Sequence, residues 1–270
     1  MPLDQERNLP FWAHLDELRT RLIRSLIAVG IGVVVAFWKL NWILEKVVLA
    51  PMQSNFITFR VLCRVGACVE GMARVRLQAI APSEQFLKAL VLSFAIGVII
   101  AFPYIVWQVW QFIRPGLYRH EARALRGIVF YISGLFFVGV FFGYYVLVPL
   151  MMRFFMGFQL MSEVENIWRI GDVIGLIVQT VLASGLAFQL PVLLWGLSWA
   201  GVVTAEGLIR WRRYAILAAV VLGGVLTPSP DVLSQILLAL PLWGLYEVSV
   251  LVVRLSERRR RPFLPFAGIR

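Results

Sequence analysis

Six apolar runs alternate with arginine clusters along this chain, and that alternation limits the fold more than any other feature. The runs fall at about residues 25–44, 84–107, 127–150, 172–197, 214–226 and 232–253. A helix needs about 20 apolar residues to cross a hydrocarbon core of roughly 30 Å. The fifth run has only 13 residues, roughly 20 Å of helix at 1.5 Å per residue. The sixth is interrupted by Pro241. Composition agrees, with 60% hydrophobic and 15% charged residues, against about 45–50% and 25% in soluble domains. The expected fold class is therefore an all-α membrane protein with six transmembrane helices, the fifth and sixth short. It forms a single integral membrane domain over 1–270: an amphipathic N-terminus (1–24), six spans (25–253) and a basic tail (254–270).

The net charge of +11 does not indicate nucleic acid, because the basic residues sit in clusters between apolar runs rather than on one soluble face. They set orientation instead. The N-terminus, the loops 108–126 and 198–213, and the tail hold 17 of the 26 Lys and Arg residues. The positive-inside rule then makes both termini cytoplasmic. The first residues lack the short apolar core and small-residue site of a cleavable signal, so the first run is expected to stay as a span.

Residues 10–24 read as a helix lying on the membrane, with Phe11, Leu15, Leu18 and Leu22 on one face and His14, Glu17, Arg21 and Arg24 on another. The loop from Lys46 to Ala81 is too polar to span; Pro51 suggests local order and 75–80 an extended segment. Gly139 and Gly143, four apart in the third run, are spaced for close helix approach. Pro103 to Glu121 leaves the membrane through Trp107 and Trp110 and turns at Pro115-Gly116, setting Glu121 among Arg114, Arg119, Arg123 and Arg126.

Catalytic chemistry finds no footing. There is no His-Glu-x-x-His pattern, no Gly-x-Ser-x-Gly elbow and no phosphate loop. Cys63 and Cys68, expected on the outer side, form no metal-ligand set with His14 or His120, so no metal and no cofactor is expected. Polar groups at chosen depths remain. Gln189 in the fourth run either bonds neighbouring helices or meets a partner. Glu247 snorkels to water or pairs with Arg254. Glu17 forms a helix pair with Arg21 or serves as a ligand-binding acid, and Glu121 has the same two readings.

Taken in order, the motifs resemble the TatC family, the multi-spanning subunit of the twin-arginine protein translocase. They are His14-Leu-Asp-Glu-Leu-Arg19, Phe112-Ile-Arg-Pro-Gly-Leu-Tyr-Arg-His-Glu121, Phe188-Gln-Leu-Pro191, Thr227-Pro-Ser-Pro-Asp-Val-Leu-Ser-Gln235 and Leu245-Tyr-Glu247. The resemblance implies a multi-pass protein of the cytoplasmic (inner) membrane. Such a protein binds twin-arginine signal peptides and helps to move folded cargo with the proton-motive force. It implies TatA/TatB-type single-span partners and self-association in a larger complex. It assigns signal-peptide binding to Glu17, Glu121, Arg19 and Phe112, partner-helix binding to Gln189, Thr227, Asp231 and Gln235, and a structural loop role to Pro51. The alternative is a small-solute secondary transporter, which would want inverted repeats meeting at mid-membrane; no such repeat is visible.

Overall fold

The structure is a computed structural model that describes residues 11–53, 55–64, 77–114, 127–157, 167–226 and 232–260. Helix α1 (Phe11–Trp38) leads through a break at Lys39 into α2 (Leu40–Ile43), a π-helical turn (Leu44–Val48) and a 3₁₀ turn (Ala50–Met52). Helix α3 (Ile57–Arg64) and strand β1 (Leu77–Gln78) follow, then the long α4 (Pro82–Ile113). Helix α5 (Ile128–Phe142) continues through a π-helical turn (Gly143–Leu147) into α6 (Val148–Gly157). Strand β2 (Trp168–Arg169) precedes α7 (Ile170–Ala187) and α8 (Leu190–Trp199). The short α9 (Ala205–Arg210), α10 (Arg212–Leu226) and α11 (Val232–Arg260) complete the described chain.

Five helical stretches among the described residues are long and apolar enough to cross a membrane: His14–Trp38, Pro82–Ile113, Ile128–Gly157, Ile170–Trp199 and Leu238–Arg258. Helix α10, at 15 residues, is short as expected. The sixth helix is not. At 29 residues α11 passes through Pro241 and runs on into the basic tail, whose Arg, Glu and Leu residues are good helix formers.

The helix expected over 10–24 is not divided from the first span, because α1 is continuous from Phe11 to Trp38. No proline or glycine interrupts it before Gly30. Thr20 and Ser25 donate their hydroxyls back to the carbonyls of Asp16 and Arg21, so neither opens the helix. Helix α4 overruns its expected end at Trp107 by six residues, and the third span continues past Pro149 to Gly157.

Three close helix crossings hold the bundle. Helix α1 packs along α4, and a Cβ on Gly32 would lie 2.9 Å from the Gly97 Cα. Helix α5 crosses α7 at Gly139 and Gly143, as their spacing predicted; a Cβ on Gly139 would sit 2.7 Å from the Ser184 carbonyl oxygen. Helix α10 lies on α11, where Gly223 leaves room for the Gln235 backbone. The main core collects Phe136, Leu147, Met151, Met152, Val173 and Ile177 from α5 to α7. A smaller cluster joins Ala205 and Leu208 to Val250 and Val253.

At the end of the bundle away from the N-terminus, short segments interlock. Strands β1 and β2 pair in parallel, Leu77 opposite Trp168 and Gln78 opposite Arg169. Phe56 stacks on Tyr145 and meets Tyr144 edge-on, while the Tyr144 hydroxyl donates to the Val47 carbonyl at 2.7 Å. Cys63 is disulfide-bonded; Cys68 lies outside the described residues.

The α5–α7 crossing has no space for a side chain at Gly139. Gly139→Leu is expected to cost about 1–3 kcal/mol, the usual range for overpacking. A thermal unfolding scan in detergent checks this, with Gly134→Leu, a position facing open space, as the harmless comparison.

Candidate functional site

The N-terminal turns of α1 and the last turns of α4 lie together at one end of the bundle. Two contacts bring the expected site residues into one place. The Phe112 ring on α4 stacks on the His14 ring of α1 with centroids 4.3 Å apart, and His14 Nδ1 stands 3.9 Å from Glu17 Oε2. Arg21 donates Nε to Glu17 Oε1 at 3.0 Å and Nη2 to the same oxygen. Its remaining arm, Nη1, donates across to Gln108 Oε1 on α4 at 3.5 Å. Gln108 is 2% exposed and donates Nε2 to the Tyr104 hydroxyl at 2.7 Å.

Glu17 therefore presents two unlike oxygens. Oε1 accepts from Nε and Nη2 of Arg21; among the described residues Oε2 faces only His14, beyond hydrogen-bond distance. The side chains of Glu17 and Arg21 are 26% and 19% exposed, so the pair is part-buried but still reaches solvent. Arg19 is exposed beside it. Glu121 lies outside the described residues.

Sequence reasoning singled out Glu17, Arg19 and Phe112 but missed Gln108 and Tyr104. Their signal was faint: glutamine and tyrosine four apart on an apolar helix, one turn from its aromatic end. Arg21 was read as a helix pair, and that pair is present.

Gln189 sits at the kink between α7 and α8. Pro191 has no N–H to continue the ladder. The Gln189 N–H turns to the Leu186 carbonyl, three residues back. Its side-chain amide then reaches the Gly185 carbonyl at 3.5 Å and the Ile132 carbonyl of α5 at 3.3 Å. Oε1 is buried without a partner among the described residues. Beside the kink, an apolar groove of about 860 Å³ runs between α5, α8 and α11, lined by Tyr131, Phe188, Pro191, Trp195 and Leu245.

Gln235 donates Nε2 to the Val220 carbonyl of α10 at 2.8 Å, so its amide faces the neighbouring helix. Thr227 and Asp231 lie outside the described residues. Pro51 is buried in its 3₁₀ turn, which packs against α6. Glu247 pairs with Arg212 at 2.7 Å, not with Arg254, because the start of α10 lies nearer than the next turns of its own helix. Glu84 also escaped notice. Its carboxylate rests on Gly171 and pairs with Arg169 at 3.2 Å, tying the start of α4 to β2.

These features describe a multi-pass helical membrane protein whose polar contacts gather at the helix ends and at one mid-span kink, with no assembly of catalytic groups among the described residues. Known proteins share the pattern. The family model described as Sec-independent protein translocase protein (TatC) matches residues 13–241. The TatC protein of Aquifex aeolicus is 34% identical over 94% of this chain and 98% of its own length. That of Synechocystis is 36% identical over 94% and 91%, and the chloroplast protein of Pisum sativum 33% identical over 95% and 67%. A crystal structure of the twin-arginine translocase receptor TatC superposes with a TM-score of 0.74 at 35% identity, covering 91% of this chain and all of that one. The chain belongs to the TatC family and is a component of the Sec-independent protein translocase. Its relatives are translocase components, not enzymes, and nothing among them supports a solute transporter.

Proposed function

We propose that this chain is the signal-peptide receptor of its translocase, binding the paired arginines of a cargo signal at Glu17 and Glu121, with Arg19 and Phe112 shaping the site. The observation that carries this reading is the half-used carboxylate of Glu17, whose Oε2 receives no hydrogen bond from the described residues while Oε1 receives two. A guanidinium offers a rigid donor fork suited to such an acceptor, whereas an ammonium does not. Solved relatives carry the name twin-arginine translocase receptor, which supports the same ligand here.

The reading includes six spans, with α10 as the short fifth, and both termini in the cytoplasm of a cell whose inner membrane holds the protein. The distribution of Lys and Arg supports that orientation. The disulfide at Cys63 supports an oxidising exterior for the opposite end. Folded cargo is too large for a bundle this size. TatA/TatB-type single-span proteins and further copies of the chain are therefore its partners, driven by the proton-motive force. Gln189, Thr227, Asp231 and Gln235 are the proposed contacts for partner helices, and Pro51 holds the loop between α2 and α3.

Topology is checked with a membrane-impermeant thiol reagent. In intact cells, Cys63 and Cys68 are expected to label after reduction; labelling confined to inside-out vesicles would reverse the orientation.

Gln189→Leu is expected to leave the chain inserted yet weaken association with a single-span partner by about 0.5–2 kcal/mol, the range of intramembrane hydrogen bonds. Equal co-purification of the partner would confine Gln189 to bridging α5 and α7.

Glu17→Ala and Glu121→Ala are each expected to weaken photocrosslinking to a twin-arginine peptide. A charge-assisted hydrogen bond is worth roughly 1.5–3 kcal/mol, or about tenfold to a hundredfold in affinity. A twin-lysine peptide is expected to crosslink poorly to the unmodified protein. Normal crosslinking by the doubly substituted chain would remove both acids from the site.

A further inference from the structure

Arginine and carboxylate prefer a fork-to-fork pair, in which two nitrogens meet two oxygens. Arg21 and Glu17 depart from that pattern: Nε and Nη2 both go to Oε1. The third arm points elsewhere: Nη1 donates to Gln108 Oε1 at 3.5 Å. The orientation of the Gln108 amide follows from chemistry. A guanidinium can only donate, so the amide atom facing Arg21 must be the oxygen. The amide nitrogen then faces Tyr104, whose hydroxyl can accept, at 2.7 Å. Gln108 is 2% exposed, so packing fixes its position as well as its hydrogen bonds.

We propose that Gln108 is the positioning residue of the arginine-binding site: it restrains Arg21 to one oxygen of Glu17 and so keeps the other open for ligand. This rests on the reading of Glu17 as a signal-binding acid. Gln108 touches no ligand itself. Without its acceptor, Arg21 is free to turn and close over both oxygens, and an internal guanidinium then occupies the place meant for an external one. Tyr104 is the second support, since its hydroxyl holds the amide the right way round.

The test uses the full chain in detergent and a twin-arginine peptide carrying a photocrosslinker, with thermal unfolding measured in parallel. Gln108→Leu, close in size and apolar, is expected to weaken peptide binding by about tenfold, the scale of one charge-linked hydrogen bond. Gln108→Glu keeps an acceptor opposite Arg21 and is expected to bind within about twofold of the unmodified chain. Because Gln108 acts through Arg21, the two effects must not add. In an Arg21→Met background, Gln108→Leu is expected to change nothing further. The proposal is overturned if Gln108→Glu is as weak as Gln108→Leu, or if Gln108→Leu costs the same factor with and without Arg21. It is likewise overturned if the loss on Gln108→Leu tracks a fall in unfolding temperature, which would make the residue a packing element. Glu17→Gln separates the two levels. Weak binding there with normal binding by Gln108→Leu removes only the role of Gln108. Normal binding by Glu17→Gln removes the site reading and this proposal with it.

Discussion

A chain in lipid has no water to satisfy its backbone, so every N–H and C=O that leaves the helical ladder must find a partner within the protein. Two polar side chains of this structure, on Thr58 and Gln189, answer to that demand. Pro149 offers no N–H to the Tyr145 carbonyl, and Thr58, from the α3 segment, donates its hydroxyl there. Pro191 bends the fourth span, and Gln189 bonds the carbonyl that the bend releases. At the end of α8, Gly201 adopts φ 76°. Its N–H bonds the Ser198 carbonyl and the next N–H bonds Leu197, closing the helix with its own backbone. Two prolines and one glycine thus decide where Thr58 and Gln189 are needed and where no side chain is.

The crossing of α1 and α4 works as a ruler. The helices run antiparallel and touch at Gly32 and Gly97, where backbone meets backbone. Arg21 lies eleven residues before the first glycine and Gln108 eleven residues after the second. Eleven residues are about three turns, so both side chains return to the contact face at the same height, roughly 16 Å from the crossing. Further outward, His14, two turns beyond Arg21, meets Phe112, one turn beyond Gln108. A shift at the glycine contact would move every member of the polar chain, so the geometry of the site is set deep in the bundle.

Much of this was legible in the chain. Apolar run length marked the long spans and the short α10, and the spacing of Gly139 and Gly143 marked a crossing that exists. Periodicity near residues 11–24 suggested a surface helix, but it could not show that the helix continues straight into the span, because nothing local stops it. The partner of Glu247 was misread for a similar reason. Arg254 is near in sequence, while Arg212 is near only once α10 has folded back onto α11. The polar chain from Tyr104 to Glu17 joins residues 87 positions apart at its middle link, and no pattern within one helix announces such a contact.

On the proposed reading, the site is selective because it is already half filled. Glu17 and Arg21 cancel one another, so the site exerts little long-range pull on cations in general. Arg19 and Arg24, both exposed on the same helix, add repulsion. Charge alone therefore gains a ligand little. What remains on offer is the free oxygen of Glu17 together with the carboxylate of Glu121, and the ligand that profits is one whose donors are rigid and planar. A lysine brings the same charge on a flexible stem with strongly held water, and must give up that water without a donor fork to repay it. Preference for arginine over lysine then follows from presenting a few carboxylate oxygens to the two guanidinium groups rather than a concentration of negative charge.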